Sequence, residues 1–113
     1  MTNNCTSLET RLTKELQGEV LFDKFSRGRY STDASIYQIQ PHGVVVPASD
    51  NDVVMAVQIA ADEGIPVLPR GAGTSQNGQA IGEALLIDTT KHLNQMMNLD
   101  VENRTVCVQP GMV

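Results

Sequence analysis

The sequence predicts an α+β fold built on a small parallel sheet, and three observations carry that reading. Two short apolar runs, "GVVVP" (43–47) and "IPVLP" (65–69), bracket a stretch with helical signals, "ASDNDVVMAVQIAADEG" (48–64). Strand, helix, strand is the crossover that builds a parallel pair. A third apolar run, "ALLIDTT" (84–90), follows a glycine-rich loop, and "NLDVENRTVCVQPG" (98–111) reads as an antiparallel hairpin turning at "VENR".

Taken in order, "TSLETRLTKELQG" (6–18) predicts a helix. Thr6 followed by Glu9 fits a capping box, Leu8, Leu12 and Leu16 form one apolar stripe, and Gly18 suits a left-handed stop. The next stretch, "FDKFSRGRYSTDASIYQIQPHG" (22–43), has weak periodicity and many turn formers, so it reads as irregular. A structureless stretch of that length inside a domain is expected to lie against something. In the second helix Ser49 caps, Asp50 and Asp52 complement the dipole, and Gly64 stops the run. Its predicted core face is Val53, Val57, Ala60 and Ala61. Met96 and Met97 are expected to fill a core gap.

The bulk numbers exclude several functions. With 113 residues, 41% hydrophobic and 19% charged, the chain has an ordinary composition for at most one domain. Its net charge of −5, without a basic cluster, opposes a nucleic-acid partner. Cys5 and Cys107 stand far apart without metal-binding spacing, which suits a reducing compartment. The polar first 20 residues are no signal peptide, and no apolar run approaches a membrane span. A cytoplasmic location is expected, compatible with peripheral membrane attachment of a larger parent. Pro110-Gly111 opens a new connection just before the chain stops at Val113, so the sequence is expected to be a piece of a longer protein.

The chemistry concentrates in "PVLPRGAGTSQNGQA" (66–80). A dinucleotide fingerprint needs a third glycine where Gln76 stands, and no helical pattern follows the loop. A P-loop needs Lys and Ser or Thr where Gln79 and Ala80 stand. Both motifs fail. The physics of anion binding survives, because successive amides of a glycine-rich turn converge into a nest. Thr74 and Ser75 add hydroxyls and Arg70 adds positive charge. A plain flexible turn has the same composition, so the residues alone leave both readings open.

From "GVVVPASDNDVV" through "RGAGTSQNGQ" to "TVCVQPG", with "GRYSTDASIYQIQP" upstream, the chain resembles the FAD-linked oxidase family. This is the vanillyl-alcohol-oxidase-type (PCMH-type) flavoprotein group that includes glycolate oxidase flavoprotein subunits and D-lactate dehydrogenases. The resemblance implies the first subdomain of the FAD-binding domain, a small parallel βαβ sheet with flanking helices, and a C-terminal hairpin starting the second subdomain. It divides the chain into an N-terminal helical segment, 1–23, and a truncated FAD-binding part, 24–113. Carried over by position, Arg70, Gly71, Ala72, Gly73, Thr74 and Ser75 would cradle the FAD pyrophosphate. Gly78 and Gln79 would close the cradle, and Pro47 would lie near the adenine. Thr74 stands where covalently flavinylated members carry His, so non-covalent FAD is implied. The long bacterial members it resembles most also carry iron–sulfur segments, which would lie elsewhere in the parent.

The implied function is the FAD-binding portion of a flavin-dependent oxidoreductase, whose parent takes a D-2-hydroxy acid (D-lactate, glycolate or D-2-hydroxyglutarate) and an electron acceptor. The fragment alone is expected to be inactive. The rivals are a stand-alone nucleotide-binding remnant and an interaction module that lost its cofactor. No residue here reads as catalytic or metal-ligating. His42 reads as a turn residue, His92 as part of a short helical turn, and Cys107 as a small strand residue. Asp33, Ser35 and Tyr37 either order the irregular segment against the flavin domain or serve structure alone.

Overall fold

The computed structural model describes residues 3–113, with side chains from Ser7 onward. Helix α1 (Asn3–Glu15) is followed by strand β1 (Glu19–Leu21), helix α2 (Lys24–Arg29) and strand β2 (Gly43–Val46). Helix α3 (Asp50–Asp62) leads to strands β3 (Val67–Arg70), β4 (Leu85–Asp88), β5 (Met96–Asp100) and β6 (Thr105–Val108). The first four strands form one sheet in the order β1-β2-β4-β3, and β5 and β6 form the expected hairpin.

Within the sheet β2, β4 and β3 run parallel while β1 is antiparallel to β2. The strands joined by α3 are therefore not neighbours, because β4 lies between them. The sequence explains the order. All four residues of "LLID" are buried, which suits the centre. Pro69 has no amide to donate, so β3 belongs at an edge. At the other edge Glu19 pairs with Lys91 at 2.8 Å, and such charge discourages pairing with foreign strands.

Alternate side chains point to opposite faces. Val45, Leu85 and Ile87 join Leu8, Leu12, Leu16, Ala56, Ile59 and Ala60 in the main core, between the sheet and the helices α1 and α3. Val44, Ala84 and Leu86 face the other way and are covered by Leu21, Tyr30 and Leu68. The leucine stripe of α1 is the face the sequence predicts, and Arg11 ties that helix to Asp62 and Glu63 at 3.0 Å each.

Several expectations need correction. Helix α1 already runs from Asn3, so Thr6 lies inside it, and the Thr6 side chain is outside the described residues. Of the predicted core face of α3, Ala60 is buried and Val53 packs against the core, but Val57 stays 43% exposed and Ala61 faces solvent; the buried residues are Asp52, Ala56, Ile59 and Ala60. Met96 and Met97 are more than half exposed on the hairpin rather than filling a core gap. The stretch 22–43 contains α2, which buries none of its residues and so carries no periodicity to read. Its start is set by the Asp23 carboxylate, which accepts the Ser26 amide at 2.9 Å.

Gly18 has no positive φ and so is not a left-handed stop. It is glycine because a Cβ there would lie 2.1 Å from the Val46 carbonyl oxygen. Gly64 is the left-handed stop, at φ 69°, with the amides of Gly64 and Ile65 donating to the carbonyls of Ala61 and Ala60.

Candidate functional site

Strands β2, β4 and β3 end on one side of the sheet, and open parallel sheets bind ligands at that carboxyl edge. Three segments meet there: Pro47–Ser49 at the start of α3, the glycine loop after β3, and Asp88–Thr90 after β4. The loop is unusual in its connectivity. It joins two adjacent parallel strands without a helix, spanning 71–84, so little secondary structure organises it.

Its shape comes from a few bonds. The Ser75 hydroxyl oxygen accepts the amides of Asn77 and Gln79, each at 3.2 Å, and donates to Gln79 Oε1 at 3.2 Å. Gly73 and Gly78 adopt φ of 71° and 78°, a region open mainly to glycine. Gly71 differs: it has no positive φ, and a Cβ there would meet nothing within 4 Å. Among the described residues, the amides of 71–76 donate to no protein acceptor. A run of unpaired amides around left-handed glycines is the material of an anion nest.

Arg70 is held against this loop. Its Nη1 donates to the Ala80 carbonyl at 3.0 Å, and its guanidinium carbon lies 5.3 Å from the Tyr30 ring centroid. A Cβ on Gly73 would come within 2.4 Å of Arg70 Nη2, so the glycine also makes room for the cation. The result is a fixed positive charge backing exposed amides.

Sequence reading missed the floor of the site. Tyr30 donates its hydroxyl to Asp88 Oδ2 at 2.5 Å, while Asp88 Oδ1 accepts the amide and hydroxyl of Thr90 at 2.9 and 2.7 Å. Burial and then the Asp88 bond push the Tyr30 phenol up to about 12, so it stays a protonated donor. A carboxylate ending a wholly apolar strand was the available signal. Asp33 also reaches the loop, accepting the Ala80 amide at 3.4 Å.

Of the residues expected to bind cofactor, 70–75, Gly78 and Gln79 share the one loop. Pro47 lies at the same sheet edge two strands away, about 10 Å by strand spacing, and is buried. A concavity of about 570 Å³ opens beside Gly71, lined mostly by apolar groups including Val54, Val57, Pro69, Ile87 and Leu93. No group of metal-ligating side chains occurs among the described residues.

A family model described as an FAD binding domain matches residues 41–113. The chain belongs to that family. The FAD-binding-domain chain is 34% identical over 111 residues to D-2-hydroxyglutarate dehydrogenase from Pantoea ananatis, covering 96% of this chain and 11% of that protein. It is 35% identical over 103 residues to glycolate oxidase subunit GlcD from Bacillus subtilis, covering 88% and 22% respectively. Among solved structures it is similar to alkyldihydroxyacetonephosphate synthase, with a TM-score of 0.81 at 20% identity over 95% of this chain and 23% of that one. The chain thus spans between about a tenth and a quarter of these proteins, and the sheet-plus-hairpin architecture is the vanillyl-alcohol-oxidase-type fold expected. No helix among the described residues is long and apolar enough to cross a membrane.

Proposed function

We propose that this chain holds the pyrophosphate of non-covalently bound FAD in its glycine loop, as part of a flavin-dependent dehydrogenase of D-2-hydroxy acids. The observation that carries the reading is the run of unpaired amides at 71–76, backed by the Arg70 guanidinium at the carboxyl edge of a parallel sheet. The donor set fits a diphosphate: the 71–76 amides have no protein acceptor among the described residues, Thr74 is exposed, and Gly71 leaves its surroundings open for close approach. Bound flavin would supply the hydride-accepting chemistry. The chain's own share is binding and orientation: Gly71–Thr74 approach the phosphates, Ser75 and Gln79 shape the loop, and Arg70 offsets their charge.

Thr74 has no ring nitrogen with which to bond a flavin, which supports the non-covalent form. The relatives' names support a substrate of the 2-hydroxy-acid class; its oxidation would pass two electrons to the flavin and on to an acceptor, which residues outside this chain would bind. An iron–sulfur cluster in the whole protein and a cytoplasmic site of action belong to the same proposal; Cys107, free and exposed, suits a reducing compartment.

The test is acid precipitation of the whole protein, expressed from its complete reading frame. Yellow protein that releases intact FAD into the supernatant is the expected result. Flavin that stays with the precipitate sinks the non-covalent reading, and colourless protein that does not take up added FAD sinks the cofactor reading.

A further inference from the structure

Ala80, where the glycine loop ends and the chain returns toward β4, is gripped from two sides. Arg70 Nη1 donates to its carbonyl at 3.0 Å, and its amide donates to Asp33 Oδ2 at 3.4 Å. Asp33 is itself fixed, since its Oδ1 accepts the Ser35 amide at 2.9 Å and the Ser35 hydroxyl accepts the Tyr37 amide at 3.1 Å. The same segment walls the loop at Gly78, where a Cβ would stand 3.1 Å from Tyr37 Cδ2 and 3.7 Å from Ser35 Oγ.

These contacts answer a structural need. The 71–84 connection has no helix to hold it, and among the described residues the internal bonds of its glycine-rich part, 71–80, all pass through the Ser75 hydroxyl. Further support has to come from elsewhere in the chain, and besides Arg70 the 33–37 segment supplies it. Ser35 hydrogen bonding first, with the Ala80 amide and the Arg70 charge adding to it, holds the Asp33 carboxyl below the usual carboxylate range.

We propose that Asp33 is a positioning residue for the cofactor loop: acting through Ala80, opposite Arg70, it holds residues 71–79 in their binding shape before FAD arrives. The inference rests on the FAD reading above. A loop ordered in advance loses less freedom on binding, which strengthens binding without any direct contact to the ligand.

The test uses the whole protein, stripped of flavin, with three readouts: hydrogen exchange of peptides covering 71–80, apoprotein Tm, and the dissociation constant for added FAD. Asp33→Ala should speed exchange in the loop alone, leave Tm within about 2 °C, and weaken FAD binding by about tenfold. Asp33→Asn keeps the volume and one acceptor, so it folds even where alanine does not, and it should shift both loop exchange and affinity in the same direction by less. Unchanged loop exchange and affinity in the folded variants overturn the proposal. So does exchange that rises throughout the chain with a large fall in Tm, since that makes Asp33 a general stabiliser. Wild-type protein that takes up no FAD overturns the cofactor reading itself, and the exchange data then still decide whether Asp33 holds the loop.

Discussion

Tyr30, at the end of α2, donates its hydroxyl to Asp88, at the end of the central strand β4, across 2.5 Å. The bond fastens the outer layer of the fold to the sheet edge where the candidate site lies. Arg70 stacks on the same ring from the loop side, so one tyrosine couples the layer, the strand and the cation.

Removing that hydroxyl should cost about 1 kcal/mol, below the range for a fully buried bond to a charged group because Tyr30 is only partly buried. The sign with pH follows from the direction of the shift. The folded phenol titrates at about 12, above its ordinary value of 10.0, so the bond's contribution is complete below pH 10 and is lost as pH rises toward 12. Denaturant unfolding of the whole protein and of Tyr30→Phe at several alkaline pH values checks this. The stability gap between them should shrink from pH 10 upward, and a constant gap counts against the bond.

Asp52 invites a second prediction. The residue is 1% exposed, and its carboxylate accepts the amides of Gln17, Gly18 and Ala48 at 3.0, 2.8 and 2.9 Å. Burial alone would raise its pKa, but the three amides outweigh burial and leave it lowered. Its contribution is therefore present above the ordinary value of 3.8 and lost as pH falls through the lowered one. Asp52→Ala removes the shared acceptor of three part-buried amides and should destabilise the fold by about 2 kcal/mol. Thermal unfolding at pH 7 should show a large loss in Tm, and that difference should narrow in acid.

Asp52 also marks the limit of what was legible. By position it is an acidic residue in the first turn of a helix, and the dipole explains such a residue without any burial. Only the fold brings the 17–18 turn over it. The same holds for β4, whose apolar pattern announced a buried strand but not its place between β2 and β3. The glycine loop, the leucine stripe of α1 and the hairpin turn were readable because each depends on local spacing. Tyr30 was not singled out, and for Asp33 packing against the flavin domain was one of two open readings, because their partners, Asp88 and Ala80, lie far along the chain. The six-residue α2 buries nothing, so it left no pattern at all.

Gly18 gives a third prediction, because it was read for the wrong reason. A Cβ there would meet the backbone of Val46 at 2.1 Å and of Ala48 at 2.8 Å, so relief requires moving the β1–β2 junction. Gly18→Ala should destabilise by about 2–3 kcal/mol, as overpacking does. A left-handed stop would give a different pattern, in which Gly18→Asn is milder than Gly18→Ala. Here Asn, being larger, should be at least as harmful, and comparing the two Tm values separates the explanations.

The last prediction sets two glycines of one loop against each other. Gly73 is required by the chain itself: its φ is 71° and a Cβ would displace the Arg70 guanidinium from 2.4 Å. Gly73→Ala should therefore lower apoprotein stability by about 1 kcal/mol or more, before any ligand is considered. Gly71 is required by nothing inside the chain, since its backbone is ordinary and the space around it is open. If a diphosphate approaches the backbone there, Gly71→Ala should leave apoprotein Tm unchanged and yet weaken FAD binding by about tenfold or more, because the methyl occupies the approach. Calorimetric Tm of the flavin-free proteins and fluorescence titration with FAD supply the two numbers for each variant. A Gly71→Ala protein that binds FAD as well as wild type would move the pyrophosphate away from this end of the loop.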